Sequence, residues 1–292
     1  MALGGGTFIS QNKKLPGSYI NFASAQNASS SIGERGIAAM AIEMDWGKDG
    51  EIIEVTSQNF AKDSLKIFGY DYSHEKLKGL RDLFKNVKKA YFYRLNTGNK
   101  ATTDIATAKY SGTRGNDIRI VVAKNIDDDA KYDVITYLGT KEVDKQTVKE
   151  VSELLDNDYV TFSMETLEVT AGKSLEGGTN GDVSGEAHQN FLDKLESYQV
   201  NAIGCTVKDE PTSNLYVQYA KRLRDEQGIK FQVVVFNNAA NYEGVVNIKN
   251  TAVEDESALV YWVTGVIAGC EINKSNTNKT YDGEYTINAD YT

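Results

Sequence analysis

The side chains in this chain that could do chemistry are few, and their spacing argues against catalysis. Only two histidines are present, His74 and His188. His188 lies near Asp182 and Ser184, which together are the three side-chain types of a hydrolase triad. A triad needs its nucleophile on a rigid elbow and a separate carboxylate to orient the base. Here all three fall within one short stretch at a glycine-rich helix entrance, and no G-x-S-x-G is present. Ser184 therefore reads as a helix N-cap, and His74 as a solvated residue in the first turn of a surface helix. Gly172-Lys173-Ser174 has the ending of a P-loop, but the motif requires a glycine five positions earlier, where Leu167 stands. Phosphate binding also needs a loop that feeds a helix N-terminus, and this segment runs from a strand into an extended glycine turn. The acidic runs Asp127–Asp129 and Glu254–Glu256 lack the spacing of a calcium loop. They read as a solvated loop and as the first turn of a helix, where negative charge suits the macrodipole. Cys205 and Cys270 sit far apart in apolar contexts and read as free thiols. No catalytic, cofactor-binding or metal-ligating residue is assigned.

Composition narrows the partners. The 292 residues suffice for about two domains and a sizeable core. Hydrophobic residues make up 40% and charged residues 25%, an ordinary globular balance. A net charge of −9 disfavours nucleic acid, because neutralising phosphates needs a basic face. The basic residues Lys85, Lys88 and Lys89 read as a solvated helix end. Leu259–Gly269 is the longest apolar stretch and is too short to span a bilayer, so it reads as a buried helix. The start, Met1 to Gly6, has neither the basic region nor the apolar core of a signal peptide. Neither nucleic acid nor membrane insertion is expected. Seventeen Tyr and ten Phe suit a chain that makes protein interfaces.

Several elements frame these residues. Residues 1–22 read as an N-terminal arm with too little apolar surface for a core. From 23 to 98 strands alternate with a helix. RGIAAMAIEM and EIIEV are strands, Ser73 caps a helix carrying Leu77, Leu80, Phe84 and Val87, and AYFYRL is a central strand. From 99 to 178 the period changes to two. IATAKY, DIRIVVAKN, YDVITYL, YVTFSM and LEVTA read as strands of a β-sandwich-like insertion, and only Gln146–Leu155 reads as helical. From 179 to 292 the βα alternation resumes. A helix carries Phe191, Leu192, Leu195 and Tyr198, and the strand Asn201–Val207 follows. A second helix opens with Asp209 and Pro211, and the strands FQVVVF and GVVNI come next. The expected fold class is α/β (α+β), a parallel-type core in two sequence segments with an inserted β-sandwich-like domain. Two glycine-punctuated segments, AKYSGTRGNDI (108–118) and LEGGTNGD (175–182), fall within and at the end of the insertion. Glycine serves where a chain takes φ > 0 or lets backbones approach, so both read as tight, shaped turns.

These two segments, with LPGSYINF (15–22) and INKSNTNKTYDG (272–283), resemble in order and spacing the sheath proteins of contractile phage tails and phage-tail-like bacteriocins. The likeness implies a subtilisin-like α/β core without protease activity. In AKYSGTRGNDI it implies a hairpin turn, and in LEGGTNGD the entry into the second part of the core. Gly112, Gly115, Asn116, Gly177, Gly178 and Gly181 would then shape turns. By the same likeness Tyr19, Ile20, Asn21 and Phe22 would donate a strand to a neighbouring subunit. The chain would polymerise with its own copies around an inner tail tube protein, on a baseplate. Contraction would drive the tube through a cell envelope. The particle, assembled in a bacterial cytoplasm, would be a virion tail or a headless bacteriocin. The family's C-terminal helical domain and second arm have no counterpart here. That points to a truncated form or a naturally short variant, with truncation favoured; a truncated form by itself would stay monomeric or weakly associated. The competing reading is an α/β enzyme or nucleotide-binding protein with its site near Val207, Asn237 and Asn238, at strand carboxyl ends. An adhesin-like sandwich module fits less well, given the α/β stretches on either side.

Overall fold

The computed structural model describes residues 35–288. The arm at 1–22, with Tyr19, Ile20, Asn21 and Phe22, lies outside the described residues. The first segment opens with strand β1 (Ile37–Ile42), strand β2 (Ile52–Thr56) and helix α1 (Ser57–Phe68). Thr56 caps α1 by accepting from the Asn59 amide at 3.1 Å, and Gly69 ends it at φ +77°. Sequence patterning passes over this helix because only Phe60, Ser64 and Phe68 of its residues are buried. A 3-10 turn (Glu75–Leu77) leads into α2 (Lys78–Phe84). The cap is His74, whose Nδ1 accepts from the Lys76 amide at 3.2 Å, and not Ser73. An imidazole one residue along meets the same orphan donor. Strand β3 (Lys89–Arg94) completes the segment.

Seven strands follow: β4 (Lys100–Thr102), β5 (Ala106–Ser111), β6 (Ile118–Lys124), β7 (Tyr132–Leu138), β8 (Lys141–Val148), β9 (Val160–Phe162) and β10 (Thr170–Ser174). They form a four-stranded sheet, β10-β6-β7-β8, and a three-stranded sheet, β4-β5-β9. One shared cluster includes Ile118, Ile120, Val122 and Val134 from the first sheet and Ala101, Ala106, Ala108 and Val160 from the second. This is the packing of a sandwich. Gln146–Leu155 is not a helix. Strand β8 stays paired to β7 through Val148, and a single 3-10 turn (Val151–Glu153) follows. The Gln146 side chain then donates to the Leu155 carbonyl (2.8 Å) and accepts from its amide (3.0 Å), holding the turn against the strand. LEVTA is displaced too, since pairing with β6 begins only at Thr170.

The second α/β segment contributes α3 (Gly185–Leu195), β11 (Ala202–Cys205), α4 (Glu210–Glu226), β12 (Gln232–Phe236), β13 (Val245–Ile248) and α5 (Leu259–Gly269). Asp209 caps α4 by accepting from the Thr212 amide at 2.9 Å, ahead of Pro211 in the first turn. Strands from both segments build one six-stranded sheet, β13-β12-β11-β1-β3-β2. All its pairings are parallel except β2 with β3. The segments meet at β1 and β11, where Ala38 pairs with Ala202. AYFYRL is thus interior but second from the edge. Both faces are covered, which explains the near-continuous apolar strands. On one face Met40, Phe92 and Val234 pack with Phe60, Leu83 and Val260 from α1, α2 and α5. On the other, Ala39, Tyr91 and Val233 pack with Phe191, Leu192 and Tyr216 from α3 and α4. Alternate residues of one strand serve opposite faces. Glu254, Asp255 and Glu256 precede α5 and do not occupy its first turn. They form a bend in which Ser257 donates from its amide to Asp255 at 3.2 Å.

Candidate functional site at the glycine junction

The backbone leaves the six-stranded sheet after β3 and returns at residues 175–184, so two stretches run side by side between sheet and sandwich. Their hydrogen bonds tie one to the other. Asn99 N donates to Thr179 Oγ1 (3.1 Å), and Thr179 N donates back to the Asn99 carbonyl (3.2 Å). Thr102 and Glu176 exchange amide bonds of 2.8 and 3.0 Å. The closeness demands glycine. A Cβ on Gly181 would land in the Thr97 carbonyl, and one on Gly98 in that of Thr179. Gly112 sits at φ +122°, where a Cβ would enter the Asp45 carbonyl.

The two glycine segments meet here. Asn116 donates from Nδ2 to the Gly178 carbonyl (2.9 Å) and accepts from the Gly178 amide through Oδ1 (2.8 Å). A Cβ on Gly178 would come within 2.6 Å of the Gly112 carbonyl. Gly115 packs close against Ala101 and Ala108, while Gly177 faces open space at φ +81° and bends the chain alone. The structure therefore brings Gly112, Gly115, Asn116, Gly178 and Gly181 to one place and leaves Gly177 at its margin. The first segment is a corner and not a hairpin turn, because β5 and β6 belong to different sheets.

Two polar groups unread in the sequence complete the site. Asp45, just past β1, accepts from Asn180 Nδ2 (2.7 Å), Tyr70 Oη (2.5 Å) and Lys76 Nζ. Burial opposes its charge, yet the bonds from Lys76, Tyr70 and Asn180 hold its carboxyl below the usual range. Asn180 Oδ1 in turn accepts from the Thr113 amide at 3.0 Å. Arg94, at the end of β3, is 1% exposed and donates from Nη1 to the Gly47 and Ser111 carbonyls, both at 2.9 Å. Burial lowers its pKa. Asn96 bonds both backbone groups of Met44 at 2.8 and 2.9 Å. An arginine inside the apolar run AYFYRL was the one visible signal for this network. Asp45 gave none. Beside the junction a cavity of about 310 Å³ opens at the carboxyl ends of β1 and β3, lined by Glu43, Asp45, Lys76, Asn180, Tyr261 and Tyr285.

The residues with chemical potential are structural. Ser184 caps α3, accepting from the Ala187 amide at 3.3 Å. His188 is buried and shares a 2.7 Å bond with Tyr216 Oη, and burial lowers its pKa. Gly172, Lys173 and Ser174 lie within β10, not in a loop before a helix. Burial pushes the Cys205 thiol up to about 12. Asn237 takes φ +47°, and the buried Asn238 donates to Ser213 Oγ at 2.7 Å.

Polar groups here are spent on backbone and on one another, which is the chemistry of a scaffold, and comparison with known proteins agrees. Residues 35–95 match the N-terminal region of domain III of tail sheath protein Gp18. Residues 96–180 match the phage tail sheath protein beta-sandwich domain, and 181–292 the phage tail sheath protein central domain. A sheath tail protein of Desulfitobacterium hafniense is 37% identical with a TM-score of 0.82, over 94% of this chain and 68% of that one. The chain belongs to the phage tail sheath family. A sheath tail protein of Listeria innocua is also 37% identical, with a TM-score of 0.75 over 86% of this chain and 60% of that one. The phage-like element PBSX protein XkdK of Bacillus subtilis is 34% identical over 98% of this chain. This sheath chain spans 67% of the length of XkdK. Its role is structural, in a phage tail particle, and a sheath is by nature a polymer of repeated copies.

Proposed function

We propose that this chain is a subunit of a contractile sheath that polymerises around an inner tail tube above a baseplate, and contracts to drive the tube through a cell envelope. The particle is a phage tail or a headless bacteriocin assembled in the bacterial cytoplasm. The observation that carries this is the junction: the glycines and asparagines of the segments 108–118 and 175–182 converge where sheet meets sandwich, with Gly177 at the margin. Gly112, Gly115, Asn116, Gly178 and Gly181 serve rigidity there, and Gly177 the adjoining bend. On this reading the chain has no catalytic activity. It is organised as an arm (1–22), a core in two parts (23–98 and 179–292) and a sandwich insertion (99–178).

Neighbouring copies are linked by strand donation from Tyr19, Ile20, Asn21 and Phe22. A donated strand of four residues adds about four backbone bonds, each on the order of 1 kcal/mol. Each link is weak, and a lattice multiplies it through effective concentration. Contraction is then rigid-body repacking between two sets of interfaces, with the arms acting as hinges. The test is deletion of residues 1–22 in a particle-producing host, followed by electron microscopy. Loss of ordered sheath with the chain still folded by circular dichroism is the expected result. Normal, contractile tails from the deletion strain would overturn the proposal.

A further inference from the structure

Residues 276–288 run back over α2 and α5 after the last helix, and none of them is buried. Their attachment is polar. Asp82, which is 0% exposed in α2, accepts from Tyr281 Oη (2.8 Å) and from the Glu284 amide (2.8 Å). Arg81 grips Glu284 with Nε at 2.9 Å and Nη2 at 2.7 Å. Trp262 Nε1 in α5 donates to Asp282 at 2.6 Å, and Lys85 to the Asp282 carbonyl. Lys78 pairs with Glu254 at 2.8 Å, and Glu254 accepts from the Thr286 amide at 3.1 Å. Among the described residues, backbone pairing of 281–288 with the rest of the fold is the bridge of Ala252 with Ile287 and its flanking bonds. A Cβ on Gly283 would crowd Asp82 Oδ2 and Tyr281 Oη, so a side chain there would have to displace the bond between them.

One strap residue, Tyr285, lines the cavity at the carboxyl ends of β1 and β3, together with Asp45 and Tyr261. We infer that residues 281–288 are a strap that closes this cavity and opens as a unit of its own, leaving the six-stranded sheet folded. The reasoning is energetic. A segment that buries no side chain fully gains little from the hydrophobic effect, and its ion pairs, Arg81 with Glu284 and Lys78 with Glu254, are only partly withdrawn from water. The strands beneath are apolar on both faces. Local opening draws on the parts of a fold with fewest buried apolar contacts. Lifting the strap uncovers a cavity edged by Tyr261, Glu43 and Asp45.

Native-state hydrogen exchange on the full chain in low urea tests this. The amides of Glu284, Thr286 and Asn288 should exchange at least tenfold faster than those of Met40 and Phe92, with almost no urea dependence. In Gly283→Ala and in Arg81→Gln the strap amides should speed up a further severalfold while the β1 and β3 amides hold their rates. Trp262 emission should shift to the red in both variants, as its bond to Asp282 and its edge contact with Tyr281, at 5.2 Å between ring centroids, are lost. Strap and sheet amides exchanging together in the wild type would overturn the inference. So would strap rates unmoved in both variants.

Discussion

Junction and strap are both places where a late part of the chain is fastened to an early one, and they are fastened by opposite means. At the junction backbone lies against backbone, with glycines removing the last ångström of clearance and Asn116, Asn180 and Asn96 using side-chain amides as extra peptide groups. At the strap side-chain charge meets side-chain charge, and one buried carboxylate, Asp82, gathers the donors. The first arrangement has no slack and cannot loosen by degrees. The second can. A protein that must transmit force between its parts needs the former between rigid bodies, and tolerates the latter where a segment has to yield.

The largest effect should come from filling the junction. Gly181→Ala forces a Cβ into the Thr97 carbonyl, and should cost more than about 3 kcal/mol. The melting temperature, followed by circular dichroism, should fall by on the order of 10 °C. A loss below about 1 kcal/mol would show that the two crossings can part after all. Next comes Asn116→Ala, which removes both bonds to Gly178. Stranding those two backbone groups should cost about 1–3 kcal/mol in urea unfolding.

Acid should separate the two regions more gently. Hydrogen bonding from Lys78 holds the Glu254 carboxyl at about 2, from an ordinary 4.5, and Arg81 lowers Glu284. A folded value below the unfolded one means stabilisation present above about pH 4.5 and lost as pH falls toward 2. Asp82 acts in reverse, since burial raises it and protonation relieves that penalty. Asp45 at the junction is lowered from an ordinary 3.8, so its contribution begins to drain only as pH falls below about 3.8. The chain has only two tryptophans. Trp262 sits at the strap, while Trp46, 0% exposed, packs between Tyr110 and Tyr159 near the junction. With each read alone in a Trp→Phe background, Trp262 emission should shift at a higher pH than Trp46 emission. Coincident shifts would erase the distinction. The smallest effect is salt: raising it to 1 M screens exposed pairs, so strap amides should exchange slightly faster while junction amides do not respond.

Much of the fold was legible because its signals are local. Ser184 and Asp209 announce their helices by capping chemistry, FQVVVF its burial by continuous apolarity, and the strands between Lys100 and Ser174 their sandwich by period two. What escaped depended on tertiary context. Helix α1 has too few buried residues to show a stripe. Gln146–Leu155 carries apolar spacing that suits a helix, and loses it to a strand partner. In the site, the glycine segments were readable as turns, but their convergence was not. Which carbonyl a missing Cβ makes room for is a fact of packing alone. Asp45 has no neighbours in sequence that foretell Asn180, 135 positions away.

The parallel pairing of Ala38 with Ala202 places a constraint on biosynthesis. Sheet strands β1 to β3 emerge from the ribosome with one flank unpartnered, and the missing strand is translated 164 residues after Ala38 (202 − 38). At roughly 5–20 residues per second the wait is on the order of ten to thirty seconds. The sandwich, whose strands all lie between Lys100 and Ser174, is fully translated within that interval. It can therefore fold first, and hand the nascent chain a preformed clasp that delivers β11 to the open flank of β1.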